Sequence, residues 1–248
     1  MSRVPDHRSA SREADIDQPP QRRSPGWPAT TLLGRLRPPT RDRLLVLGTT
    51  VSYPDNDVIL KHGEHGDNVV LLLSKAVKVV VHSEHGPTAL LAIRIRGDLV
   101  GEQSVIDHNP RSASVIACGD VLARSIGRGE FEAFLRRAPD AELELRRMVS
   151  ERLRWADQRR VDFLALKAYA RVARVLVEVA KTCGWTDEET WELDIPLTQE
   201  ELGSLASIAR RTVEQQMKRL IDAGLVRTAY RRTSLLDMAE LQRVANSH

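Results

Sequence analysis

The stretch LTQEELGSLASIARRTVEQQMKRLIDAGLV, Leu197 to Val226, leaves the chain least freedom. Thr198 followed by Glu201 is a capping box, which fixes a helix start. Leu202, Leu205 and Ala206 form an inward face, and Ala206-Ser207-Ile208 a short turn. A second helix is predicted from about Ala209 to Ala223, with Val213, Met217, Leu220 and Ile221 as its buried stripe. Gly224 follows as its terminator. LVRTAYRRTSLLD then reads as a two-stranded wing with basic residues at its tip. Two helices joined by a tight turn form a helix-turn-helix, whose second helix enters the DNA major groove. Between Leu205 and Leu235 seven basic residues face two acidic ones, a net charge of +5, which points to a polyanionic partner. Arg210 and Arg211 stand where base contacts form and can each grip guanine, and Gln215 one turn on suits adenine. Thr198, Gln199, Lys218 and the wing arginines, Arg231 among them, are placed for phosphates. Thr212 completes the predicted DNA-binding set. A helical hairpin used only for packing is the alternative.

The chain before this motif changes period twice. Residues 1–30 are rich in Pro, Ser, Arg and Asp without apolar periodicity and read as a disordered or loosely docked arm, with Trp27 its one candidate anchor. From about Leu44 to Ile126, short Val/Ile/Leu runs alternate with Gly and Asp turns, as in an antiparallel barrel or sandwich. The imperfect alternation of AVKVVVH implies that both faces of that strand are covered. After Gly129 the period becomes helical. Pro139-Asp140 starts a long helix, along which Val149, Leu153, Ala156, Arg160 and Phe163 recur at spacings of 4, 3, 4 and 3, a two-stranded seam with one charged interruption. The same face could also pack on the chain's own barrel. A further helix runs from Lys167 to Gly184, and WTDEETWELDIP reads as a loop and one short strand.

No apolar run approaches the roughly 20 residues of a membrane span, and the N-terminus lacks the apolar core of a secretory signal. Cys118 and Cys183 match no metal or redox spacing, which fits buried thiols in a reducing cytoplasm. His62, His65, His82 and His85 form two H-x-x-H pairs that read as solvated turn histidines, so no metal is expected. There is no nucleophile elbow, P-loop or acid pair, so no enzyme is expected.

One stretch is left to explain: GDLVGEQSVIDHNPRSAS, Gly97 to Ser114, with a lone carboxylate at Glu102 and a lone guanidinium at Arg111. With a barrel, a long helix and a winged helix-turn-helix in that order, the chain resembles the family of the cyclic-AMP receptor protein and the fumarate–nitrate reductase regulator. The resemblance spans about residues 44 to 241. It is carried by GEQSVIDHNPRSAS, SERLRWADQRRVDFLALKAYARVARVL and LTQEELGSLASIARRTVEQQMKRL.

The resemblance implies an α+β fold. Residues 31–139 would form a cyclic-nucleotide-binding β-barrel (a double-stranded β-helix or jelly roll) with flanking helices. Residues 140–166 would form a dimerisation helix and residues 167–248 a winged helix-turn-helix. It implies that Gly97–Ser114 is a phosphate-binding cassette. There Arg111 would pair with a cyclic phosphate, while Ser112 and nearby backbone amides hold the other oxygens. Glu102 would accept from the ribose 2′-OH, and Gly101 would let the backbone approach. Gln103 and Ala113 belong to the same implied set. Arg152 would lie near the phosphate or Glu102. Ala156 and Asp157 occupy positions where the cyclic-AMP receptor contacts adenine with hydroxyl residues, one from each subunit. An ionised Asp only accepts hydrogen bonds, which suits the adenine amino group and suits guanine as well or better. Cyclic AMP is therefore the expected ligand, with cyclic GMP the alternative.

The implied partners are a palindromic double-stranded operator, a second copy of the chain and RNA polymerase, in the cytoplasm. Departures from the family pattern are Lys75 for a turn Gly, Lys167 for a capping Asp, Ala170 for Gly, Arg211 for Glu and Gln215 for Arg. The iron–sulfur branch needs N-terminal cysteines, and the arm has none. A ligand-independent regulator with an inert pocket, where Glu102 merely pairs with Arg111, remains an alternative. So does a nucleotide-sensing interaction protein that does not bind DNA.

Overall fold

The computed structural model describes residues 26–82, 88–187 and 190–247. Residues 1–25, most of the expected arm, and His85 lie outside these. Trp27 is described, and its ring lies under the Arg96 guanidinium, 5.7 Å from the ring centre.

Two short helices open the fold, α1 (Leu32–Arg35) and α2 (Pro38–Leu45). Thr31 caps the first by accepting from Gly34 N. Two prolines start the second, where a missing N–H costs no helix bond. The strands follow as β1 (Thr49–Tyr53), β2 (Val58–Leu60), β3 (Asn68–Leu72), β4 (Ala76–His82), β5 (Thr88–Ile95) and β6 (Leu99–Val100). A helix, α3 (Glu102–Asp107), leads to β7 (Ser114–Cys118) and β8 (Val121–Gly127). The strand region thus begins at Thr49; Leu44, expected at its edge, is fully buried in α2.

The strands form two antiparallel four-stranded sheets, in the orders β1-β8-β3-β6 and β2-β7-β4-β5. Their inner faces meet through Leu60, Val70, Leu72, Val77, Val115 and Ala123, the two-sheet solution for short alternating strands. Val79 pairs with Ala92 and Val80 with Leu90. Leu91 is therefore an extra residue, a β-bulge that switches the alternation of β5.

Lys75, in the turn before β4, has φ +57°, a left-handed conformation that strains any residue with a Cβ. Lys75→Gly should relieve that strain. Less the entropy glycine adds to the unfolded chain, the gain should be about 0.5–1 kcal/mol. Thermal unfolding checks it, with an expected rise of about 2 °C in Tm.

After the barrel, α4 (Arg128–Arg137) and α5 (Pro139–Ala165) are separated only by Ala138. The first turns of α5 bury Ala141, Leu145 and Met148 in a cluster with Leu33, Phe131 and Phe134. Further along the same helix Leu153, Phe163 and Leu164 are 62%, 53% and 83% exposed.

The C-terminal part comprises α6 (Ala168–Cys183), β9 (Gly184–Asp187), β10 (Thr190–Leu193), α7 (Gln199–Ala206), α8 (Arg210–Asp222), β11 (Val226–Ala229), β12 (Arg232–Leu235) and α9 (Met238–Ala245). The segment expected as a loop and one strand is instead the hairpin β9–β10. It extends the wing into a sheet of order β11-β12-β10-β9. Ile221, expected in the buried stripe of α8, is 40% exposed while Val213, Met217 and Leu220 are buried. It lies one residue, about 100° of helix, past the packed face.

The outer face of β4 and β5 is covered by this C-terminal part. Val80, Leu90 and Ile93 share one apolar cluster with Val175, Leu176 and Leu205. That contact explains the imperfect alternation of β4. No helix among the described residues is long and apolar enough to cross a membrane.

Candidate functional site

The cavity at Gly97–Ser114 is shaped by one backbone conformation. Gly101 has φ +80° and precedes α3. A Cβ there would stand 2.6 Å from Arg111 Nη1, so only glycine lets β6 turn into α3 against that guanidinium. Arg111 is buried and fully engaged at its tip. Nη1 donates to Gly101 O (2.8 Å) and Ser104 Oγ (2.6 Å), and Nη2 to Asn68 O (2.7 Å) and Asn68 Oδ1 (2.8 Å). Burial lowers its pKa, and the Asp67 carboxylate opposes that. Ser112 Oγ donates to Gln103 Oε1 (2.8 Å).

Glu102 does not pair with Arg111. Its Oε1 accepts from Arg152 Nη1 on α5 at 2.6 Å, and Arg152 Nη2 donates to Leu99 O (3.0 Å). The same guanidinium lies 3.5 Å from Asp98 Oδ1. Asp98 Oδ2 accepts from Ile95 N (3.1 Å). Burial raises the Asp98 pKa, opposed first by Arg152 and then by Arg94. One arginine of the long helix thus spans two carboxylates of the cassette, Asp98 and Glu102.

Gly101, Glu102, Gln103, Arg111, Ser112, Ala113, Arg152 and Ala156 all line one cavity of about 510 Å³, within the range of small-molecule sites. Asp157 does not line it; its side chain is exposed and pairs with Arg160 at 3.0 Å. Sequence reasoning missed the apolar wall of Leu60, Val79, Leu91 and Trp155, and it missed Arg94, which shares that wall. A lone arginine in the apolar run LLAIRI was the available signal. The cavity has a net positive charge: Arg94, Arg111 and Arg152 face Glu102 and the adjoining Asp98.

The second site is the exposed face of α8. Arg211, Gln215 and Lys218 are exposed there at spacings of four and three, so they share a face. Thr212 is half-buried beside them. Arg210 is held by two carboxylates, donating from Nε to Glu214 (2.8 Å) and from Nη1 to Glu200 (3.2 Å).

The turn into α8 is tight at Gly203, where a Cβ would stand 2.6 Å from Ile208 O. Thr198 Oγ1 accepts from Glu201 N (3.1 Å), and Thr198 N donates to Glu201 Oε2 (2.8 Å). The other oxygen of Glu201 lies 2.6 Å from Lys78 Nζ on β4, so the helix cap is also a tie to the barrel. Gln199 is half-buried, with its Oε1 buried and without a hydrogen-bond partner. Arg231 sits at the wing tip with φ +57°, 3.8 Å from Asp55 Oδ2 of the barrel.

A family model described as a cyclic nucleotide-binding domain matches residues 50–138, and one described as a Crp-like helix-turn-helix domain matches residues 170–244. The chain is 27% identical over 195 residues to a CRP-like cAMP-activated global transcriptional regulator of Mycobacterium tuberculosis, covering 79% of this chain and 87% of that one. It is 29% identical over 194 residues to the cyclic AMP receptor protein of Thermus thermophilus, covering 78% and 86%. Among solved structures, a CRP/FNR-family transcriptional regulator of Thermus thermophilus superposes with a TM-score of 0.68 at 25% identity, over 80% of this chain and 99% of that one. The barrel with its guanidinium-lined cavity and the winged helix-turn-helix are the two matched parts, and the chain belongs to the Crp/Fnr family of cyclic-nucleotide-binding, DNA-binding transcription regulators.

Proposed function

We propose that the protein is a homodimer whose reading heads engage a palindromic operator when a cyclic purine mononucleotide fills the cavity at Glu102, Arg111 and Ser112. Residues 31–139 would act as the sensor, 140–166 as the dimer helix and 167–248 as the head. One observation carries the reading: a single helix, α5, holds both ends. Arg152 ties it to Glu102 and Leu99. Two turns on, Arg159 donates to Leu91 O on the cavity wall (2.8 Å) and to Ser204 O in the head (3.0 Å). A ligand that draws Glu102 away from Arg152 would bias both contacts, and differential contacts are what shift a two-state equilibrium. The exposed apolar stripe of Leu153, Phe163 and Leu164 on that helix supports the dimer. Cyclic AMP is the ligand in the relatives' names. Cyclic GMP is the second reading, and the base end of the cavity distinguishes them.

Sedimentation velocity and a mobility-shift assay on a genomic fragment pool, with and without each nucleotide, test this. The expected result is a dimer with nucleotide-dependent shifts. Arg211→Ala should weaken the selected fragment by about 1–3 kcal/mol, roughly 5- to 150-fold. A monomer, or shifts indifferent to every cyclic nucleotide, would sink the proposal.

A further inference from the structure

Arg94 is an unusual residue for the wall it occupies. It lies on β5, just after the bulge at Leu91, and lines the nucleotide cavity beside Arg152 and Trp155. It also lines a second cavity of about 300 Å³ behind that wall, between β5, α5 and α6. Among the described residues its guanidinium makes one hydrogen bond, from Nη1 to Ile93 O at 3.1 Å, although it carries five donors. The two carboxylates nearby, Asp98 and Glu102, are both paired with Arg152 instead. Burial and then repulsion by Arg152 lower the Arg94 pKa to about 10. A half-buried cation with most of its donors unspent leaves hydrogen-bonding capacity that a ligand's acceptors can use.

The lining residues also set an order along the cavity. Arg111 is held at one end by Gly101, Ser104 and Asn68. Arg94 and Arg152 line both this cavity and the one behind it, whereas Arg111 lines only the first. Glu102 is bonded to Arg152, so Arg94 lies on the Arg152 side of Glu102, away from Arg111. A nucleotide with its phosphate at Arg111 and its ribose hydroxyl at Glu102 presents its base to Arg94. A guanidinium matches the O6/N7 edge of guanine, two acceptors side by side. The same edge of adenine pairs N7 with a donor amino group.

We infer that Arg94 is a specificity-determining residue that reads the O6/N7 edge of the base and makes the cavity prefer a 6-oxopurine cyclic nucleotide over cyclic AMP. The inference rests on the proposal that this cavity binds a cyclic nucleotide.

Calorimetric titration of the full chain with cyclic GMP, cyclic AMP and 7-deaza-cyclic GMP, which lacks the N7 acceptor, tests it. Cyclic GMP is expected to bind at least about tenfold more tightly than cyclic AMP, with the deaza analogue weakened several-fold. In Arg94→Met, with folding checked by circular dichroism, the three should bind within about threefold of one another. Equal or tighter binding of cyclic AMP by the unaltered protein would overturn the inference. So would a deaza analogue as tight as cyclic GMP; this arm needs no variant. A preference that survives in Arg94→Met would overturn it too. Failure of all three nucleotides to bind would overturn the ligand proposal itself, and the inference with it.

Discussion

Arg152→Met is expected to destabilise the protein by about 3–5 kcal/mol, because removing one partner of a buried ion pair strands the other charge. Here it strands two. Glu102 and Asp98 both face Arg152, with side-chain exposures of 6% and 11%. The carbonyl of Leu99 loses its donor as well. For a chain of this size the loss should lower Tm by roughly 10 °C. It should also depend on pH in a defined direction. Asp98 already sits above its ordinary value through burial, and Arg152 is the strongest influence opposing that rise. Without Arg152 its folded-state pKa climbs further. A carboxyl raised on folding contributes stability below its unfolded pKa, near 3.8, and that contribution is lost as pH rises through the folded value. The destabilisation should therefore be smaller near pH 5 than near pH 8. Urea unfolding at both values measures it, and an equal loss at the two would contradict the proposed pairing. Arg94 stands close enough to attract both carboxylates and should take over part of the pairing. Arg94→Met combined with Arg152→Met should thus cost more than the sum of the two single changes.

The helix-turn-helix was legible because it is written in local code. A capping box, a terminating glycine and a four–three apolar spacing depend on residues within a turn or two of one another. The cap at Thr198 and Glu201 lies where the spacing puts it. What escaped was non-local. The bulge at Leu91 changes which face each later residue of β5 presents, and nothing in LLAIRI announces it. Arg94 could therefore not be assigned to the cavity from alternation alone. The partner of Glu102 was implied only by the resemblance, which set Arg152 near the phosphate or Glu102, and not by any local spacing. An arginine nine residues away looks like its natural mate, yet Arg111 is claimed by Gly101, Ser104 and Asn68. The guanidinium that reaches Glu102 comes from fifty residues downstream. The strand β9 was missed because GWTD carries one large apolar residue, Trp185, and its ladder partner is β10, from Thr190 to Leu193.

The occupied state of Arg111 leads to the second large effect. All four hydrogens on its terminal nitrogens already point at protein oxygens. A cyclic phosphate must therefore use Nε–H and local amides, or displace Ser104 Oγ or Asn68 Oδ1, the two acceptors that can rotate away. Gly101 O and Asn68 O are main-chain groups and cannot. Arg111 is thus a structural tie between β3, α3 and the cassette before it is a ligand contact. Arg111→Ala should remove both roles. Leaving the half-buried carbonyls of Gly101 and Asn68 and the buried Ser104 hydroxyl short of a donor, at about 1–3 kcal/mol for each group that water cannot reach, puts the stability loss at roughly 2–5 kcal/mol. Nucleotide binding should fall by at least about a hundredfold, since the charge-assisted contact and the shape of the loop go together. Arg111→Lys separates the two roles. It keeps the charge but offers three donors from one point, too few and too compact to hold Gly101, Ser104 and Asn68 at once. It should recover part of the nucleotide affinity while regaining little stability. Thermal unfolding and calorimetry on the same two variants decide the matter. Full stability in Arg111→Ala would mean that the four hydrogen bonds do not tie the loop. Unchanged nucleotide affinity in that variant would place the phosphate elsewhere in the cavity.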